Sequence, residues 1–158
     1  MWSAIDVYRL LAPAVLGYLR TQGVPDPENV TGEVFFQVAR DLHRFKGDND
    51  ALRRWVFTIA HHRMVDSHRR RARRPAVVDL EVPEQAAPPP EQPLDPDLVA
   101  ALDGLTEAQR EVVVLRFVAD LPVEAVANLT SRTEGAVKAM QHRALEQLSR
   151  ALAVSQEP

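Results

Sequence analysis

Between Phe45 and Arg74 the chain reads FKGDNDALRRWVFTIAHHRMVDSHRRRARR, and that stretch gathers most of its chemically capable side chains. A polar loop, Lys46 to Asn49, comes first. Trp55, Thr58, His62 and Asp66 then recur on one helical stripe, with His61 beside it. Arg69, Arg70, Arg71, Arg73 and Arg74 close the segment. Arginines hold phosphates, while an aromatic face and hydrogen-bonding groups hold bases, so the combination suits a strand of nucleic acid. Arginines at a helix end also satisfy the helix dipole, and an isolated tryptophan is more often core than platform, so neither settles the matter alone.

Other chemistry finds little support. No Ser-His-Asp ordering, phosphate-binding loop or dinucleotide glycine motif is present, so no enzyme is expected. His61, His62 and His68 lack cysteine or acidic partners at ligand spacing, so no metal site and no cofactor are expected.

Helices must position these groups. Leu52, Val56, Ile59 and Ala60 give the Phe45–Arg74 unit an apolar stripe, Asp50 is placed to cap it, and Pro75 stops it. Ahead of it, Ile5, Leu11, Val15, Leu16 and Leu19 predict a helix over 3–21, with Pro13 as a candidate kink. Asp26-Pro27 starts a second helix, to about Leu42, on Val30, Val34 and Val38. Three helices make a small all-α module. Residues 75–96 carry seven of the 12 prolines and read as extended linker. Asp95-Pro96 then opens a helix closed by Gly104. Thr106 and Gln109 form a capping box for a helix carrying Val112, Val113, Leu115 and Phe117. Pro122 to Asn128 predicts a short helix and Leu129 to Arg132 a turn. Thr133 caps a long last helix on Val137, Met140, Ala144, Leu145 and Leu148. Short helix, turn and longer helix resemble a helix-turn-helix. Glu124 and Glu134 read as solvated.

The net charge of −3 hides three segments: residues 1–74 carry +5, residues 75–97 carry −6 and residues 98–158 carry −2. The local map therefore permits a polyanion partner that the overall balance would argue against. No basic start leads into an apolar run, and no stretch approaches about 18 uncharged apolar residues, so neither a signal peptide nor a membrane span is expected. A cytoplasmic protein is the expectation. No regulatory domain is expected after Leu152.

Three stretches, in order, resemble a bacterial RNA polymerase sigma factor of the extracytoplasmic-function group. NVTGEVF (29–35) is similar to the family's clamp-docking motif. Phe45 through Arg71 is similar to the loop and helix that melt and read the downstream promoter element. LTEAQREVVVLRF, followed by LPVEAVANLTSRTEGAVKAMQHRALEQL, is similar to the domain that reads the upstream element. The chain departs from the pattern at Asn29 and Gly32, where an acid and a glutamine are usual, and at Ser131, where glycine is usual.

The resemblance implies an all-α chain of two domains, 1–74 and 96–153, joined by an acidic Pro-rich linker over 75–95. It implies core-polymerase contacts at Asn29, Glu33, Phe35 and Gln37. Phe45, Lys46, Gly47, Asp48 and Asn49 would hold a flipped base of the melted strand. Arg53, Arg54, Trp55, Thr58, His61 and His62 would line the separating strands, and Arg69, Arg70 and Arg71 would take phosphates. Arg132, Thr133, Glu134, Lys138, Ala139, His142 and Arg143 would face the upstream duplex. Implied partners are core RNA polymerase (beta-prime clamp and beta flap), promoter DNA both duplex and single-stranded, and an anti-sigma factor. The linker would thread toward the RNA path. Two other readings compete: a stand-alone helix-turn-helix regulator needing only residues 98–158, and a helical protein–protein adaptor.

Overall fold

Ser3 starts the fold by accepting the Asp6 amide on its hydroxyl at 3.1 Å, which caps α1, Ala4–Thr21. The computed structural model describes residues 2–73 and 95–156. Pro13 lies inside α1, and the helix continues through it. Asp26 accepts the Asn29 amide and, with Pro27 at the first helical position, begins α2, Pro27–Asp41. A single 3-10 turn, Leu42–Arg44, precedes α3, Asn49–Arg73. Asp48, not Asp50, caps α3: its carboxylate accepts the Ala51 amide at 2.9 Å. Asp50 already lies in the first helical turn, where its carboxylate still favours the dipole.

Val7, Leu11, Val15 and Leu19 of α1, Val30, Val34 and Val38 of α2, and Leu52, Val56, Phe57, Ile59, Ala60 and Met64 of α3 form one buried cluster. Each Val, Leu, Ile, Phe or Met side chain among them contributes about 1.5–3 kcal/mol when fully buried. Ile5, expected on the apolar stripe, stands exposed instead.

The second group begins with α4, Pro96–Asp103, capped by Asp95, and α5, Glu107–Val113, with the expected capping box. The helix then widens into a π-turn, Val114–Val118, closed by Ala119 N–H on the Val114 carbonyl at 3.0 Å. The wider turn buries all of Val112–Leu115 and leaves Phe117 52% exposed, against its expected place in the core. α6, Val123–Thr130, ends at Ser131, held left-handed at φ 57° where glycine is the easier residue. α7, Glu134–Gln156, is capped by Thr133 and buries Val137, Ala144 and Leu148, while Leu145 stays exposed.

The guanidinium of Arg110 ties these pieces together by donating to the carbonyls of Leu102, Asp103 and Leu105, and across to Thr21 of α1. The buried cluster is continuous from the first three helices into the last four. Among the described residues there is no strand. The expected linker over 75–94, and Arg74, lie outside the described residues.

Candidate nucleic-acid interface

The loop before α3 is built around a ring stack. Phe45 lies on Trp55 with centroids 5.1 Å apart and planes 14° apart. Gly47 makes the fold-back possible: with φ 156°, a Cβ there would lie 2.8 Å from Ala51 Cβ and 3.1 Å from Phe45 Cζ. Lys46 and Asn49 are exposed on its rim. The product is a half-open aromatic edge beside free polar groups, suited to receive a planar base.

Farther along α3, the expected DNA-facing residues meet the second group of helices. Arg53 pairs with Asp120 at 3.1 Å, and Arg54 with Glu124 at 3.2 Å. Glu124 is exposed as expected, yet it is not merely solvated. Thr58 Oγ donates to the Arg54 carbonyl, leaving its lone pairs as acceptors. Arg54, Thr58, His61, His62 and Arg69 form one wall of a cleft of about 850 Å³ whose other wall includes Leu121, Ala125, Asn128 and Ser131. Arg69, Arg70, Arg71 and Arg73 stand exposed at the helix end.

At the bottom of that contact sits a polar chain that the family motifs do not reveal. Tyr18 is fully buried and donates to Glu111 Oε2 at 2.9 Å. Its one proton is thereby used, so its oxygen accepts from His61 Nδ1–H at 3.0 Å. His61 Nδ1 also lies 3.6 Å from Glu111, and Arg132 approaches the other carboxylate oxygen at 3.8 Å. Burial pushes the Glu111 carboxyl up. The hydrogen bonds from His61 and Tyr18, with the charges of His61 and Arg132, outweigh it and hold the group below its ordinary 4.5. Burial first, then the Glu111 charge and hydrogen bond, drive the Tyr18 phenol far above its ordinary 10.0. One signal in the sequence could have found Glu111: a lone carboxylate directly before VVVL on a buried helix.

On α7 the expected upstream-facing residues Glu134, Lys138, Ala139, His142 and Arg143 are all exposed, with His142 3.2 Å from Glu146. Thr133 spends its hydroxyl on the cap. Arg132 turns toward Glu111 rather than standing with them.

On α2, Asn29, Glu33 and Gln37 share a face at i, i+4 and i+8. Arg63 reaches that face from α3, donating to Gln37 at 3.0 Å and lying 3.7 Å from Glu33. Phe35 does not join it. It is 8% exposed and packed edge-on against Tyr8, so its ring is committed to the core. The exposed aromatic is its neighbour Phe36, at 71%. Adjacent helical positions point about 100° apart, and the motif match took the inward one. Among the described residues no group of three His, Cys, Asp or Glu could hold a metal, and no helix is long and apolar enough to cross a membrane.

Residues 7–74 match the family model described as Sigma-70 region 2, and residues 101–150 match that described as Sigma-70, region 4. The ECF RNA polymerase sigma factor SigD of Mycobacterium tuberculosis is 30% identical over 156 residues, covering 90% of this chain and 74% of that one. ShbA, an ECF RNA polymerase sigma factor of Streptomyces griseus, is 35% identical over 140 residues, covering 80% and 71%. Among solved structures, the sigma factor RpoE of Bartonella quintana, crystallised in complex with the anti-sigma factor NepR, has the same fold: TM-score 0.68 at 22% identity, over 94% of this chain and 96% of that one.

Proposed function

The chain belongs to the sigma-70 family of RNA polymerase sigma factors, in its extracytoplasmic-function group, and from that premise we propose how its residues divide the work of promoter-specific initiation. The protein binds core RNA polymerase and directs it to promoters, so catalysis belongs to the polymerase. Residues 1–74 form the domain that docks on the beta-prime clamp and opens the downstream element. Residues 75–95 link it to 96–153, which engages the beta flap and reads the upstream duplex.

One observation carries the assignment of the base pocket. Phe45 stacks on Trp55 above a turn that only glycine permits at position 47, with Lys46 and Asn49 at its rim. Extruding a base costs a few kcal/mol of stacking, and an aromatic edge with adjacent donors and acceptors offsets it. Arg69, Arg70 and Arg71 continue the track as phosphate contacts. Asn29, Glu33, Phe36 and Gln37 are the clamp face. Glu134, Lys138, Ala139, His142 and Arg143 face the upstream element, where Lys138 and Arg143 suit phosphate or a guanine edge. An anti-sigma factor is a further partner, on the analogy of the Bartonella complex. Such a protein works in the cytoplasm.

The test is transcription in vitro with sigma-free core polymerase on genomic fragments, with sequencing of the transcript starts. Starts sharing two short upstream motifs about two helical turns apart or less are expected. Absence of specific starts, together with failure to co-purify with core polymerase and unaided footprinting of duplex DNA, would establish a stand-alone regulator instead.

A further inference from the structure

We propose that Arg63 of α3 is the positioning residue of the α2 docking face, holding Glu33 and Gln37 as a set acceptor-and-donor pair for core polymerase. The proposal rests on the reading of that face as the polymerase contact. Arg63 follows Leu52, Val56 and Ile59 by 11, 7 and 4 residues, on the stripe that buries α3 in the core. An apolar residue would continue that stripe. An arginine in this register instead carries its charge to the rim of the helix pair, where its side chain is 30% exposed. There Nη2 donates to Gln37 Oε1 at 3.0 Å, and Nη1 lies 3.7 Å from Glu33 Oε2. One guanidinium from α3 thus reaches two side chains of α2.

That contact decides which atoms the face offers. A guanidinium only donates, so the Gln37 amide must give Arg63 its oxygen and keeps its Nε2 hydrogens for a partner. An amide without such a neighbour presents either end. At 3.7 Å Glu33 is paired by charge without a hydrogen bond, so its carboxylate oxygens stay open to a donor. Four residues separate the two side chains, about 6 Å along the helix axis. The complementary surface therefore carries a cation or N–H group opposite Glu33 and a carbonyl or carboxylate oxygen one turn on, opposite Gln37. Side chains fixed before docking lose less rotamer freedom on binding, which is how Arg63 acts without touching the polymerase. A lysine here would keep the charge and lose the fork that serves two residues at once.

The test is holoenzyme assembly, read as the dissociation constant of the dye-labelled full chain from sigma-free core polymerase. Arg63→Met keeps a long apolar stem and removes the fork, and should weaken assembly about tenfold. Arg63→Lys keeps the charge beside Glu33, so it should assemble more tightly than Arg63→Met and more weakly than the unmodified chain. The variant Glu33→Gln/Gln37→Ala removes the groups that Arg63 holds. In that background Arg63→Met should cost less than about a further twofold, because nothing is left to position. An equal loss in both backgrounds overturns the proposal, since Arg63 would then be a direct contact or a packing residue only. Unchanged assembly by Arg63→Met, while Glu33→Gln/Gln37→Ala assembles poorly, also overturns it and leaves the docking face standing. Normal assembly by Glu33→Gln/Gln37→Ala removes the docking face itself and the proposal with it.

Discussion

Tyr18 and Glu111, 93 residues apart, share a buried hydrogen bond of 2.9 Å that joins α1 of the first domain to α5 of the second. A neutral phenol donating to a carboxylate in low dielectric is stronger than the exposed arginine pairs around it. It also has no evident place in holding promoter DNA. Its position makes it the part of the domain contact with the clearest physical signature.

Removing the donor should be costly. Tyr18→Phe keeps the ring's edge contact with Phe57 and strands a carboxylate lone pair. The loss should be about 1–3 kcal/mol. Denaturant unfolding of the full chain measures it. A midpoint equal to that of the unmodified chain would mean that the two domains part before either unfolds.

The same pair sets a pH window. Glu111 lies below its ordinary 4.5, so its contribution is present above that value and fades as pH falls through the lower folded value. Tyr18 lies above its ordinary 10.0, so its contribution is present below 10.0 and fades as pH climbs past it. The groups facing Glu111 are Tyr18 from α1, His61 from α3 and Arg132 from the turn before α7. In a Tyr8→Phe chain, where Tyr18 is the one tyrosine left, absorbance at the tyrosinate band should stay flat as pH rises past 10. It should appear only together with loss of helicity or separation of the domains. A smooth titration centred at 10 in an intact fold would contradict the burial.

Adjacent phenylalanines should behave oppositely. Phe35→Ala empties a core site and should cost about 3–5 kcal/mol of stability. Phe36→Ala should leave the unfolding midpoint nearly unchanged and weaken binding to core polymerase about tenfold, or 1.4 kcal/mol. Denaturation and a pull-down titration on core polymerase separate the two effects. Equal losses of core binding at equal stability would reverse the assignment.

Gly47→Ala should act on promoter opening rather than on docking. The new methyl would stand 2.8 Å from Ala51 Cβ, forcing the loop off the Phe45–Trp55 stack at about 1–3 kcal/mol. Permanganate footprinting of the melted strand should show less opening while core binding holds. Normal opening would remove the loop from the base pocket.

Features that a single helix settles by itself are legible in the sequence. The caps at Asp26, Asp95, Thr106 and Thr133, and the stripes of Leu52, Val56 and Ile59, are set by neighbours within a turn or two. They needed no tertiary information. The cap at α3 went to Asp48 because the chain enters the helix two residues earlier than a cap at Asp50 requires. The π-turn over Val114–Val118 was not legible, since its wider winding comes from packing and leaves no periodicity of its own.

The sequence by itself determined the helical class, the two domains' order, the family and the basic, aromatic character of α3, because these follow from residue types at short spacing. Only the tertiary structure decided that Phe35 turns inward and Phe36 outward. It alone decided that Arg53 and Arg54 meet Asp120 and Glu124. It alone brought Tyr18, His61 and Glu111 into one chain of hydrogen bonds. Those relations join residues 43 to 93 positions apart, or turn on a 100° rotation about a helix axis. No local pattern encodes them: the inward turn of Phe35 is set by packing against α1, and the polar pairs form only where the two domains meet.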